Sequence, residues 1–229
     1  MAYTLFTANR NYSSWSLRPW LLMRGLDIAF VDRLVPFAGP DNFEDFRAFA
    51  PNGKVPCLHH DGRIIWDSLA IIEYLAERHP GVWPSDDDAR AWARCAAAEM
   101  HSGFAPLRNI CSMSVGVRAQ LHSVSPALQA DIDRISELFT EGLGRFGGPW
   151  LAGAAFSAVD AFFAPVAYRV RSFGLQLSAS ASQWVDRMLA HPAMLEWETS
   201  ALAETWRDEA HEEEIAAVAI VTADYRAGA

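Results

Sequence analysis

The first eighty residues switch between two hydrophobic periods, short apolar runs of strand type and stretches of helical spacing. Tyr3, Leu5 and Phe6 form a compact apolar run at 3–6, a polar segment follows through Ser14, and Leu17, Trp20, Leu21 and Arg24 then fit one helix over 17–24. Pro56 opens the next apolar run, Cys57-Leu58; a proline cannot donate to a ladder there, so it marks a turn at the strand entrance. Either isomer of the Val55–Pro56 bond fits, the cis form costing only about 0.5–1 kcal/mol. Asp61-Gly62 between this run and Arg63-Ile64-Ile65-Trp66 predicts a hairpin. Asp67-Ser68 then introduces Leu69-Ala70-Ile71-Ile72-Glu73-Tyr74-Leu75, a second helix that starts with an acid and a hydroxyl.

Prolines 80 and 84, Gly81 and the acidic run 86–88 interrupt both periods, and we read 79–88 as a linker. Beyond it, Trp92, Cys95, Ala96, Glu99, Met100, Gly103 and Phe104 recur at helical spacing within 89–113, with Pro106 near a kink. Further helices are predicted over 127–146, after a Ser125-Pro126 start, and over 159–173, 182–190 and 193–207. With no strand alternation of any length, 89–215 reads as an all-helical bundle, 1–80 as a separate α/β unit and 216–229 as a C-terminal extension. Ser157 followed by Asp160 is a capping-box variant with a structural role.

A net charge of −9 leaves no basic footprint for nucleic acid. No run approaches the roughly 18 apolar residues that span a bilayer, and the chain opens without a basic and apolar leader, so a cytoplasmic protein with no membrane partner is expected. Cys57, Cys95 and Cys111 are widely spaced, without a Cys-x-x-Cys pair, and so suggest neither a disulfide framework nor a metal site. His59 and His60 would point to opposite faces of a strand, which argues against joint ligation. No phosphate loop or dinucleotide fingerprint is present.

The candidate chemistry lies at Ser13-Ser14, where the first strand gives way to the first helix. Unpaired N–H groups and the aligned peptide dipoles favour an anion at such a junction. A hydroxyl there is also a good helix cap. Together, the Ser13-Ser14-Trp15-Ser16-Leu17-Arg18 segment, the Val55-Pro56 step and the Asp67-Ser68-Leu69-Ala70-Ile71-Ile72-Glu73-Tyr74-Leu75 run resemble the cytosolic glutathione transferase superfamily. The first segment is similar to the Ser-Ser-Cys-Ser-x-Arg motif of its zeta class, with Trp15 in place of the cysteine. The resemblance implies a thioredoxin-like α/β domain followed by an all-α domain, with glutathione as co-substrate, no metal, a small electrophile as second substrate and a homodimer.

It also implies roles for residues. A thiol of pKa about 8.5 is mostly protonated at neutral pH, and lowering that value by two units requires about 2.7 kcal/mol of thiolate stabilisation. One hydrogen bond to a charged group supplies about 1.5–3 kcal/mol and a helix terminus about 0.3–1. A serine donor therefore suffices, with Ser13 as first choice and Ser14 as the competing assignment. Asp67 would pair with the γ-glutamyl ammonium, Ser68 and its helix start with the carboxylate, the Val55 edge fixed by Pro56 with the cysteinyl amide, and Lys54 with the glycyl carboxylate. Trp15, Trp20, Phe37, Met100, Phe104 and Leu107 are candidates for the electrophile pocket, and His101, Arg108, Arg169 and Arg171 for binding a substrate acid. Ser172 stands where the zeta pattern has an arginine, which ranks a maleylacetoacetate isomerase below a transferase; a glutathione-binding scaffold without turnover is the third reading. In the expected dimer, Glu99 would assist the glutathione ammonium across the interface.

Overall fold

The computed structural model describes residues 2–37 and 42–228. Its first unit runs β1 (Tyr3–Thr7), α1 (Ser14–Gly25), β2 (Phe30–Leu34), α2 (Phe43–Arg47), β3 (Cys57–His60), β4 (Arg63–Trp66) and α3 (Ser68–Ala76). The sheet order is β2-β1-β3-β4. β1 lies parallel to β2, with Tyr3 opposite Phe30, and antiparallel to β3, with Leu5 opposite Leu58; the β3–β4 hairpin pairs Leu58 with Ile65. Asp61 and Gly62 both take positive φ in its turn, as an acid-glycine pair does in a two-residue hairpin. The Val55–Pro56 bond is cis. β2 was not read from the sequence: Phe30-Val31-Asp32-Arg33-Leu34 is an edge strand with no fully buried residue, so its hydrophobic signal is weak.

The second unit comprises α4 (Asp87–Ser102), α5 (Ala105–Ile110), β5 (Val117–Leu121), α6 (Pro126–Phe146), α7 (Ala158–Phe173), α8 (Ala179–Leu189), α9 (Pro192–Ala203), α10 (Glu209–Val218) and β6 (Ala219–Asp224). Local signals placed most of these. Ser125 caps α6 by accepting the Leu128 N–H at 3.2 Å. Asp160 accepts the Ser157 N–H at 3.1 Å, as the capping pattern requires. Asp160 also accepts from the Leu151 N–H and Trp184 Nε1, both at 2.9 Å, and so ties a loop and α8 to α7.

Two features depart from the all-helical reading. The helix expected over 89–113 stops at Ser102, and Phe104, with φ of +57°, turns the chain into α5 with Pro106 in its first turn. The residues at 117–121 do not extend a helix but pair antiparallel with β6, Val117 opposite Asp224 and Leu121 opposite Ala219. A two-stranded ribbon is marginal alone; here Val117 and Ala119 point into the core against α7. The segment 216–229 therefore contributes a strand of the folded body.

Helix α1 joins the two units. It packs on α3 on one side and on α7 and α9 on the other, which is why nearly every residue from Ser14 to Met23 is buried. Leu17, Leu21, Leu22 and Met23 are inaccessible to solvent, and Trp20 meets Trp197 of α9 edge-on at 5.1 Å. The start of α1 is thus held rigidly at the boundary between the units.

Candidate functional site

Ser13 occupies the N-cap position of α1 but its side chain caps nothing. Its hydroxyl donates to Ser16 Oγ at 2.7 Å, and Ser16 Oγ also accepts the Ala8 N–H at 3.2 Å. Ser14 differs: its oxygen accepts from Arg169 Nη2 at 3.4 Å. Arg169 reaches this point from α7, is buried, and also donates to the Cys111 and Arg108 carbonyls. Burial pulls its pKa down to about 10, so the guanidinium is still charged at neutral pH. The Ser13 proton is committed to a neighbour, whereas an oxygen that accepts from Arg169 keeps its own proton for another acceptor.

The loop that precedes α1 is held from far along the chain. Glu204 accepts the Arg10 N–H at 2.6 Å and the Asn11 N–H at 3.2 Å, while the Asn11 side chain donates to the Ala201 carbonyl at 2.6 Å. Tyr12 donates its hydroxyl to Glu212 at 2.6 Å and accepts from Arg226 at 2.9 Å, and Arg226 pairs in turn with Glu212 and Asp224. None of these C-terminal anchors was marked by sequence spacing.

Two neighbouring clefts meet at this helix start. The larger, about 490 Å³, is walled by Ser13, Ser14, Trp15, Phe37, Lys54 and Arg108 together with Ser112, Met113, Arg169, His211 and Glu214. The smaller, about 280 Å³, is lined by Trp15, Asn52, Lys54, Val55, Pro56, Asp67, Ser68 and His101. Trp15, Lys54 and Val55 border both. Gly53, at φ +61°, makes the turn that leads into the Val55 edge.

In the smaller cleft Asp67 caps α3 with one oxygen, accepting from the Leu69 N–H at 2.8 Å and the Ala70 N–H at 3.4 Å. Its other oxygen stands 3.4 Å from His101 Nε2. Asp67 holds φ +75°, ψ 133°, a conformation that costs a non-glycine residue about 1–3 kcal/mol and persists only where its surroundings fix it. Ser68 Oγ is buried and has no protein hydrogen-bond partner, so its hydrogen-bonding capacity is free for a polar group that enters the cleft. Among the described residues, no carboxylate pairs with the Lys54 ammonium.

Trp15 stands between the clefts with the Arg18 guanidinium 3.9 Å and the Arg108 guanidinium 4.9 Å from its ring centre, cation–π distances on both counts. Burial, with Arg108 and Arg169 nearby, pushes the Arg18 pKa well down. Burial also pushes the thiols of Cys57 and Cys111 up to about 12. Neither is a thiolate at neutral pH, so neither can serve as nucleophile. Among the described residues, no group of three or more acids, histidines or cysteines is placed to hold a metal, and no helix is long and apolar enough to cross a membrane.

Trp15, Phe37 and Arg108 thus line the larger cleft, but Met100 and Phe104 do not. At 2% and 6% exposed they face the core of the helical unit, with Leu107. Trp20 is also core, its Nε1 donating to Asp32 at 2.8 Å. Of the basic residues, Arg169 reaches the cleft, His101 reaches the smaller one, and Arg171 is turned away to pair with Glu198 at 2.9 Å. Both Glu99 oxygens are held by Arg134, at 2.8 and 3.0 Å, which occupies the carboxylate expected to reach a neighbouring ammonium. His211 and Glu214 line the cleft from α10, a helix that was not read from the sequence.

The profile of the glutathione S-transferase N-terminal domain matches residues 12–78, and that of the C-terminal domain matches residues 118–199. The chain is 31% identical over 205 residues to a maleylacetoacetate isomerase of Pseudomonas aeruginosa, covering 82% of this chain and 92% of that protein. It is 29% identical over 178 residues to the maleylacetoacetate isomerase of Rattus norvegicus, covering 76% and 81%. In fold it is similar to a glutathione transferase homologue from Burkholderia with bound glutathione, with a TM-score of 0.67 at 22% identity over 88% of this chain and 98% of that one. With both domain profiles matched in order and a relative above 30% identity over most of its length, this chain belongs to the glutathione S-transferase family.

Proposed function

We propose that this protein is a glutathione transferase that ionises the glutathione thiol at the start of α1 and directs it into the larger cleft. The observation that carries the reading is the unpartnered, buried Ser68 hydroxyl beside the Asp67 carboxylate, in a cleft that shares the Val55 edge with the one containing Ser14. A tripeptide laid along that edge puts its γ-glutamyl end on Asp67 and Ser68, its cysteinyl amide on Val55 beside Pro56, its glycyl carboxylate toward Lys54 and its sulfur toward α1.

The geometry favours Ser14 over Ser13 as the thiolate donor. Ser13 would have to give up its bond to Ser16, whereas Ser14 is backed by a guanidinium that polarises its O–H. One charged hydrogen bond of about 1.5–3 kcal/mol, with about 0.3–1 kcal/mol from the helix terminus, covers the roughly 2.7 kcal/mol that two units of thiol pKa require. The serine acts as a donor to sulfur and forms no covalent bond. Trp15, Phe37 and Arg108 then border the electrophile.

A second reading, glutathione-dependent cis–trans isomerisation of a maleyl-type acid, is favoured by the two guanidiniums of Arg108 and Arg169 at the same cleft and by the names of the relatives. Ultraviolet titration of the bound thiol tests the shared step. A thiolate band that appears about two pH units below that of free glutathione is the expected result, and a bound thiol that titrates like the free one leaves only a binding scaffold. Turnover of aryl halides, peroxides, disulfides and a maleyl-type acid then separates the two activities. We also infer a cytoplasmic homodimer. The outer face of β4 and α3, with Ile64 and Trp66 each more than two-fifths exposed, supplies an apolar surface for the partner subunit.

A further inference from the structure

Helix α10 borders the larger cleft through His211 and Glu214, and at its start is a histidine–carboxylate pair. Asp208, buried at the start of α10, brings Oδ2 to within 2.5 Å of His211 Nδ1. The same oxygen accepts the His211 backbone N–H at 3.2 Å. Helix capping needs only the second of these bonds; the first also fixes the ring. The imidazole is stacked against Tyr12, at 5.0 Å and 28°, and against Phe37, at 5.7 Å and 15°, so two aromatic rings help to hold its plane. Tyr12 and Phe37 themselves border the cleft.

With Nδ1 tied to a carboxylate, the tautomer is fixed and Nε2 is the nitrogen left for proton transfer. Among the described residues Nε2 has no hydrogen-bond partner. The Tyr12 hydroxyl beside it is committed, because it donates to Glu212 and accepts from Arg226.

We propose that His211 is a general acid of the electrophile site, with Asp208 as its positioning residue, and that it acts when the thiolate adds to an electron-poor alkene conjugated to a carbonyl. The proposal rests on the glutathione reading above. The glutathione thiolate forms a carbon–sulfur bond at the β-carbon, and the alkene π pair moves toward the carbonyl to give an enolate. The imidazolium form of His211, its Nδ1–H held by Asp208, delivers the Nε2 proton to that enolate, and the neutral imidazole left behind takes back from solvent the proton that the glutathione thiol released on ionising. Substitution on an aryl halide makes no such demand: the leaving halide departs as an anion and no proton is delivered.

The difference supplies the test. Turnover of benzylideneacetone and of chlorodinitrobenzene with glutathione is compared in the full-length protein and in His211→Gln and Asp208→Asn. The ratio of enone to aryl-halide kcat should fall about 100-fold or more in His211→Gln, the range general acids contribute, and by less in Asp208→Asn. Added imidazole should restore part of the enone rate in His211→Ala, a recovery that a packing role would not give. A ratio unchanged in His211→Gln, an equal loss on both substrates, or a parent active on the halide but inert toward the enone overturns the His211 assignment while leaving the transferase reading intact. A parent inert toward both substrates overturns the transferase reading and the proposal with it.

Discussion

Arg169 Nη2 lies 3.4 Å from Ser14 Oγ, although α7 and α1 are separated by more than half the chain. The contact makes the two adjacent serines inequivalent. Ser14→Ala should lower kcat by roughly 10-fold to 100-fold, the loss of one charge-assisted bond of about 1.5–3 kcal/mol, with KM for glutathione changed little, because the donor acts on ionisation more than on binding. Ser13→Ala should cost less than Ser14→Ala, since Ser13 bonds Ser16 rather than the cleft. Steady-state constants for both variants decide the order, and a larger kcat loss in Ser13→Ala reverses the assignment.

The γ-glutamyl subsite proposed at Asp67 and Ser68 leads to a separate prediction, on affinity. Asp67→Asn should raise the glutathione dissociation constant tenfold or more, because an ammonium loses a charged partner worth about 1.5–3 kcal/mol. The amide keeps an oxygen to accept from the Leu69 N–H at the α3 cap, so the fold should survive. Ser68→Ala should weaken binding by a smaller factor while costing little stability, as its hydroxyl has no protein partner to lose. Calorimetric titration reads both. Unchanged affinity in Asp67→Asn would reduce that residue to a helix cap.

The features legible in the sequence are those whose cause is local. Asp61-Gly62, the Asp67 cap and the Ser125 and Ser157/Asp160 starts each act within four residues, and each forms the turn or cap that its residue types require. What escaped was set by distant partners. Val117-Arg118-Ala119-Gln120-Leu121 does alternate, but only β6, a hundred residues on, makes it a strand. Met100 and Phe104 were visible as a helical apolar stripe, yet periodicity cannot say whether a stripe faces a core or a cleft, and α4 turns this one toward α7. The Glu204 anchor of the Arg10 loop and the His211–Asp208 pair carry no motif spacing at all.

Asp160 makes a prediction about stability against pH. Burial raises its pKa to about 6 despite the donors from Leu151, Trp184 and Ser157, against about 3.9 in an unfolded chain. A carboxyl with a raised folded pKa contributes stability that is fully present below the unfolded value and is lost as pH rises through the folded one. The loss here is about 2 kcal/mol between pH 4 and pH 7. Asp160→Asn removes that dependence and turns an amide toward N–H donors, at a cost of about 1–3 kcal/mol. The stability gap between parent and variant should therefore be wider at pH 4 than at pH 7. Urea unfolding at both values measures it, and a gap that widens with rising pH would mean that the three donors outweigh burial.

The outer face of the hairpin and α3 bears on assembly. Ile64 is 43% and Trp66 45% exposed, and with Ile65, Leu69 and Ala70 they form an apolar surface beside the Asp67 subsite. Apolar side chains gathered on one face, rather than scattered singly, are what a partner subunit covers. A C2 dimer would place the same face of each subunit at its interface. Light scattering at micromolar concentration should give a mass near twice 25.3 kDa. Ile64→Glu with Trp66→Glu should shift it toward the single-chain value, since a charge buried without a partner costs several kcal/mol. The subsite lies next to this face, so the monomeric variant should also bind glutathione more weakly than the parent. A fully active parent at the single-chain mass would exclude the dimer, and a dimer unaffected by both substitutions would place the interface elsewhere on the molecule.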